Sequence, residues 1–379
     1  MSGLQKISFC TSASCQSLRK RPSLSPLRHF HPARSYTKST AVPPQPPSRD
    51  SIPTKTACTT GLQHSARIRG PPSPLKRSFL HTTTAKMATG TLEPPSHAPK
   101  LNPVESAKRK AAYRAVADHF NSDMTFVGIG SGSTIVYGVE AIKEHLTQNP
   151  PAQGHMNWFV PTGWNSRKVI EQAGLIPIAF DSLPAGSLMD VCFDGADEVD
   201  EELNCIKGGG ACLFQEKLVA CRSKKFVCIA DYRKDQRRLL TVWPSVPIEI
   251  APISHASVIR ELKLLGSPNP VLREHSLSKT GPIQTDQSFY IIDAPFKQLL
   301  TAADVAAGKD GSGKDGVYEV NTLAAKIKAI HGVLEVGLFH GMNGLQVQAL
   351  GGQGGQKPVA VYFGLEDGEV AVKTAKEIQ

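Results

Sequence analysis

The chain has 379 residues, 40% of them hydrophobic and 20% charged, enough to build a globular core of one large or two medium domains. No apolar run approaches the ~18 residues of a membrane-spanning helix, and eight cysteines are too few for a disulfide scaffold at this length. The net charge of +10 is confined to one end: residues 1–87 carry 14 Lys and Arg against the single acid Asp50, while residues 88–379 hold 29 bases against 32 acids, so the bulk of the chain is mildly acidic and not patterned for nucleic acid.

Residues 1–100 read as a disordered, basic extension. Ser and Pro supply 14 and 11 of the first 87 residues, and no helical or strand period is sustained. An Arg- and Ser-rich segment almost without acids is similar to an organelle transit peptide. Met87 could equally serve as a start. The expected location is cytoplasmic, with a mitochondrial address as the alternative.

Regular structure is predicted from residue 103. A helix over 103–120 has Asn102 as N-cap and Pro103 in its first turn. Strands at 124–130, 158–162, 175–181, 188–194 and 225–231 alternate with helices at 133–146, 165–173 and 214–223. The strands are apolar on consecutive residues, as in a parallel sheet covered on both faces. Residues 242–333 are richer in proline, with a helix at 255–265, a strand at 288–293 and a helix at 319–330, compatible with a small α+β domain. Strands at 336–340 and 359–364 return to the first pattern. The expected fold class is therefore α/β: a Rossmann-like, mostly parallel sheet (101–241 and 334–379) with an inserted smaller α+β domain (242–333).

Chemistry-bearing motifs sit where strands give way to helices. Gly128-Ile-Gly-Ser131-Gly132-Ser133-Thr134 has the form of a phosphate cradle: glycines admit a ligand to the backbone, hydroxyls donate, and the next helix offers its N–H groups. It lacks the lysine of a P-loop and the spacing of a dinucleotide fingerprint. Asp194-Gly195-Ala196-Asp197 places two carboxylates on a turn beyond a buried strand, suited to binding sugar hydroxyls or exchanging protons with them. The acids that follow, Glu198, Asp200, Glu201 and Glu202, read as a solvated face. Lys207-Gly208-Gly209-Gly210 is a loop able to hug a ligand with a cation at its start, and Glu216 follows on the next helix, off its apolar stripe. Lys234 lies just past the strand at 225–231. The body cysteines Cys192, Cys205, Cys212, Cys221 and Cys228 form no zinc-ligand spacing and read as reduced core thiols. Together these motifs suit proton transfer on a phosphorylated sugar, a carboxylate acting as base and a cation on the enediolate.

The motifs GIGSGST, DGAD and KGGG followed by Glu216, with Asp231-Tyr-Arg-Lys234 and the later TDQSFYIID and VGLF, resemble the type A ribose-5-phosphate isomerase family over residues 104–375. The resemblance implies aldose–ketose isomerisation between ribose 5-phosphate and ribulose 5-phosphate without metal or organic cofactor. It also implies a sugar phosphate as small-molecule partner and a homodimer or higher homo-oligomer; from charge and apolar run length, no nucleic-acid or membrane partner is expected. Carried over by position, Glu216 would be the proton acceptor and Lys207 the enediolate-stabilising cation. Asp194 and Asp197 would assist ring opening. Ser131 to Thr134, Asp194 to Asp197, Lys207 to Gly210 and Lys234 would bind substrate. Ser131 stands where many members carry Thr, which keeps the hydroxyl. A different sugar-phosphate enzyme, such as an aminosugar-phosphate deaminase, or a non-catalytic sugar-phosphate sensor are the competing readings; the base at Glu216 distinguishes both.

Overall fold

A computed structural model describes residues 102–274 and 280–376. The basic extension expected over 1–100 lies outside the described residues. Helix α1 (Pro103–His119) starts as its sequence requires: the Asn102 side chain accepts the Glu105 N–H at 2.9 Å and Pro103 occupies the first turn. Its small residues Ala107, Ala111, Ala112 and Ala115 are buried, which lets the helix lie close on the sheet.

The chain then alternates β1 (Phe126–Ile129), α2 (Ile135–Gln148), β2 (Trp158–Pro161), α3 (Trp164–Gln172) and β3 (Val191–Asp194). A short hairpin of β4 (Glu198–Val199) and β5 (Cys205–Ile206) leads to α4 (Leu213–Cys221) and β6 (Phe226–Asp231). Next come β7 (Val246–Ile250), α5 (His255–Leu264), β8 (Val271–Leu272), β9 (Tyr290–Ala294), α6 (Ala302–Ala306) and α7 (Val320–Lys328). The chain closes with β10 (Val333–Val336), β11 (Leu338–Phe339), α8 (Gly344–Ala349), β12 (Ala360–Gly364) and β13 (Val370–Thr374).

Six strands form the main sheet in the order β13-β12-β6-β3-β1-β2. All neighbours are parallel except β12 and β13. One face is covered by α1 and α2 over Val127, Ile129, Val191, Phe193, Val227 and Ile229; the other buries Cys192, Val219, Phe226, Cys228, Phe339 and Phe363. After β1 the chain builds outward to β2, then crosses back to β3 on the opposite side of β1. The carboxyl ends of β1 and β3 therefore border a topological switch point, where open α/β sheets bind ligands. A second sheet, β10-β7-β9-β8, is antiparallel throughout and packs its own core of Ile248, Ile250, Val258, Leu262, Ile292, Leu323 and Ile327. A third small sheet, β11-β5-β4, pairs the hairpin that follows β3 with the strand that follows β10.

Three expectations need correction. The strand expected over 175–181 is a single parallel bridge, Phe159 to Pro177, followed by a 3-10 turn at Phe180–Ser182. Phe159 makes both bonds of that bridge, to the Ile176 carbonyl and from the Ile178 N–H; the next outward-facing position on β2 is Pro161, which has no N–H, so the ladder stops there and β2 stays the sheet edge. The strand expected over 336–340 in the main sheet is split: Val336 ends β10 in the second sheet, and Leu338 and Phe339 pair with Ile206 and Cys205 in the third. The acids expected on a solvated face include Glu198 and Asp200, which are fully buried. Glu198 accepts N–H groups of Leu240, Thr241, Val242 and Trp243, and Asp200 accepts those of Glu202 and Asn204. A carboxylate can be buried here because main-chain donors surround it.

Candidate active site

The loops after β1, β3 and β6 and the loop before α4 converge on one cavity of about 300 Å³. Its lining includes every position singled out from the sequence: Ser131 to Thr134, Asp194 to Asp197, Lys207 to Gly210, Glu216 and Lys234. Close packing of these loops explains the glycines. Gly130 donates its N–H to the Phe193 carbonyl, and a Cβ there would lie 1.9 Å from Asp194 Oδ1. Gly208 has φ of +107°, which turns the chain sharply after Lys207.

The floor of the cavity is a buried charge cluster. Lys207 Nζ donates to the Gly195 carbonyl at 2.6 Å and lies 2.9 Å from Asp194 Oδ2 and 3.3 Å from Glu216 Oε2. All three side chains are at most 5% exposed. Ser131 Oγ donates to Glu216 Oε1 at 2.6 Å, which fixes the carboxylate plane. Asp194 Oδ1 accepts the Gly195 N–H, and Asp197 Oδ2 accepts the Gly209 N–H at 2.8 Å. Burial pushes the Asp194 carboxyl up to about 7, against the pull of the Lys207 ammonium and with the Glu216 charge adding to the rise. Burial likewise raises Asp197, partly offset by the Gly209 N–H. Burial disfavours the charge on Lys207, but Asp194 and Glu216 outweigh it and hold the ammonium well above its ordinary range.

The opposite end of the cavity is cationic and rich in donors. Helix α2 begins at Ile135, and Thr134 makes no side-chain cap bond. Among the described residues, the N–H groups of Ser131 to Thr134 have no protein acceptor, and all four residues line the cavity at the start of α2, where a helix N-terminus suits an anion. Lys108 Nζ lies 3.5 Å from Ser133 Oγ. Lys234 stacks its ammonium over the Trp243 ring at 5.0 Å. Arg233 is tied to Asp231 at 2.6 Å.

Sequence reasoning missed Lys108, Asp231 and Arg233 as lining residues. Lys108 is one of three cations in the 108–110 run on α1, and nothing in that run marks the one facing the cavity. The sequence reading grouped Ser131 with the phosphate loop; its hydroxyl instead engages Glu216, at the carboxylate end. Among the described residues no group of three His, Cys, Asp or Glu side chains is arranged to hold a metal ion, and the five described cysteines are free thiols.

The family model for ribose 5-phosphate isomerase A (phosphoriboisomerase A) matches residues 158–352. The ribose-5-phosphate isomerase of Mycosarcoma maydis is 44% identical over 276 residues, 73% of this chain and 83% of that protein. That of Candida albicans is 41% identical over 271 residues, 71% of this chain and 96% of that protein. Among solved structures, a D-ribose-5-phosphate isomerase in complex with phospho-erythronic acid superposes with a TM-score of 0.57 at 28% identity, covering 72% of this chain and all of that one. Ribose 5-phosphate isomerase A from Methanocaldococcus jannaschii gives 0.55 at 26% identity, over 71% and 99%. On the extent of these matches, the chain belongs to the ribose 5-phosphate isomerase A family.

Proposed function

We propose that the cavity interconverts D-ribose 5-phosphate and D-ribulose 5-phosphate, with Glu216 as the proton-transfer base. The observation that carries the division of roles is the buried Glu216–Lys207–Asp194 cluster open to a cavity that is also lined by main-chain N–H groups without protein acceptors and by the cations Lys108, Arg233 and Lys234. The phosphate sits among the free N–H groups at the start of α2, the Ser133 and Thr134 hydroxyls, Lys108 and Lys234. The sugar then runs toward Lys207. Asp194 and Asp197 bind hydroxyls, and Asp194, poised near neutrality, passes the ring hydroxyl's proton as the furanose opens. In the open chain, Glu216 takes the proton from C2. The C2–H electron pair becomes the C1=C2 double bond, and the carbonyl π pair moves onto O1. Lys207 faces that growing charge and stabilises the enediolate. The hydroxyl proton on O2 passes to O1, the C2=O bond forms, and Glu216 returns its proton to C1. Every atom is conserved. Phospho-erythronic acid pairs a phosphate with a carboxylate at the far end and is expected to bind both ends of the cavity.

Incubation with ribose 5-phosphate in the presence of EDTA should yield ketose. Glu216→Gln keeps the shape and removes the base, so kcat should fall ~10²–10⁴-fold with KM little changed. A variant keeping more than about a tenth of wild-type kcat would overturn the assignment of Glu216. We further propose a cytoplasmic homo-oligomer, a mitochondrial address on the basic extension being the alternative. A single species of monomer mass in sedimentation would contradict the oligomer.

A further inference from the structure

The glycine loop of the active site is held from outside by the second sheet. Arg273 follows β8, and its guanidinium is clamped by Asp293 of β9 through two bonds, Nε to Oδ2 at 2.7 Å and Nη2 to Oδ1 at 2.5 Å. The remaining arm, Nη1, donates to the carbonyls of Gly208 at 2.9 Å and Gly209 at 3.2 Å. Both side chains of the pair are largely buried. Planar fork geometry makes this clamp directional, since the Nε–Nη2 edge of the guanidinium satisfies Asp293 while Nη1 points at the loop.

The loop needs such a hold. Gly208 takes a positive φ and Ala211, which carries a side chain, does so as well at +59°. Residues in this region cost energy unless their surroundings enforce them. The Gly208 carbonyl also accepts the Ala211 N–H at 3.1 Å, so Arg273 and the turn share one acceptor. With the Gly208 and Gly209 carbonyls drawn outward, the opposite side of the loop faces the cavity: the Gly209 N–H reaches Asp197, and Lys207, two residues earlier, reaches Asp194 and Glu216.

We infer that Arg273, oriented by Asp293, is a positioning residue for isomerisation: it fixes the Lys207–Gly210 loop so that its N–H groups and the Lys207 ammonium meet the sugar end of the substrate. Arg273 does not line the cavity, so it acts through the loop. This rests on the roles proposed for Lys207 and Glu216.

The test compares Arg273→Ala, Arg273→Lys and Glu216→Gln in the full chain. A displacement of reacting groups by about 1 Å costs up to ~10²-fold in rate, so Arg273→Ala should lose ~10–100-fold in kcat. Affinity for phospho-erythronic acid, measured by calorimetry, should fall about tenfold or more, because that ligand reaches the glycine loop. Affinity for inorganic phosphate, which meets only the α2 end, should stay within about twofold. Added guanidinium at non-denaturing concentration should restore part of the lost kcat. Arg273→Lys keeps the charge but not the fork, and should lose about tenfold in kcat with its melting temperature near wild type. If Arg273→Ala does not fold, Arg273→Lys decides. A folded Arg273 variant with kcat within twofold of wild type overturns the inference, and so does an equal loss of affinity for both ligands, which would mean general loosening. If Glu216→Gln itself retains turnover, the underlying reading of the site has failed rather than the role of Arg273.

Discussion

At the scale of single residues, the site works by putting like and unlike charges where water cannot screen them. Asp194 and Glu216 both lie against Lys207, and burial lifts the Asp194 carboxyl to about 7. A carboxyl in that position changes charge across the working pH range. Because the three groups interact, the observed titration belongs to the cluster. If ionised Asp194 receives the ring hydroxyl's proton, kcat/KM must rise as pH increases through about 7 and level off above it. Asp194→Asn should lower kcat/KM and erase that acidic limb. A pH–rate profile on both proteins checks this; an unchanged limb in Asp194→Asn would assign the titration elsewhere. Gly130 shows the same crowding from the backbone side, since any side chain there would occupy the space of the Asp194 carboxylate.

At the scale of elements, buried carboxylates act as splints for loops. Glu198 on β4 accepts four consecutive N–H groups from Leu240 to Trp243, closing a turn in which Leu240 has φ of +63°. Trp243, at the end of that turn, lies beneath the Lys234 ammonium. Glu198→Ala removes every acceptor at once. Part of the turn is exposed, so water recovers some of the loss. The expected cost is about 2–4 kcal/mol of stability, read by urea denaturation, from ~1–3 kcal/mol per donor left buried without a partner. KM should rise because Lys234 loses its support, while kcat stays within a few-fold. A stability loss below about 1 kcal/mol would show that the turn holds itself. Glu249 on β7 plays a related part, accepting the Phe214 N–H in the first turn of α4, the helix that carries Glu216. Burial raises its carboxyl above the ordinary range.

At the scale of the whole molecule, catalytic groups come from the loops of the main sheet, from Lys207 just past β5 of the third sheet and from Glu216 on α4, and part of their bracing comes from the second sheet. The main sheet supplies the loops at its carboxyl edge, and β8 and β9 supply the Arg273–Asp293 clamp. The described residues contain no helix long and apolar enough to cross a membrane. An extension whose composition cannot build a core should be dispensable for folding, which is testable directly. A chain starting at Met87 should fold and keep the kcat of the full chain, because every cavity residue lies at Lys108 or beyond. Insolubility or loss of activity in that chain would make the extension part of the fold. The extension fused to a fluorescent protein would report its destination in cells.

Contiguous residues determined the elements and most of the cavity. Alternating apolar runs and helical periods marked the parallel sheet, and Asn102-Pro103 marked the start of α1, because those signals express local backbone and burial requirements. GIGSGST, DGAD and KGGG were legible for the same reason: each loop must turn tightly and approach a ligand, and only glycines and short polar residues allow that locally. The residues that were not legible act across long separations. Lys108 reaches Ser133 from another element, Arg273 reaches a loop 65 residues earlier, and Glu198 binds a turn more than 40 residues on. Nothing in the stretch around any of them records its partner. Similarly, 175–181 has the apolarity of a strand, yet Pro161 on β2 offers it no further N–H and the ladder ends after one bridge, and Val333–Val336 joins the second sheet because its register pairs with β7. Such contacts exist only once the sheets have packed, so tertiary structure alone decided which charges are buried, braced and aimed at the cavity.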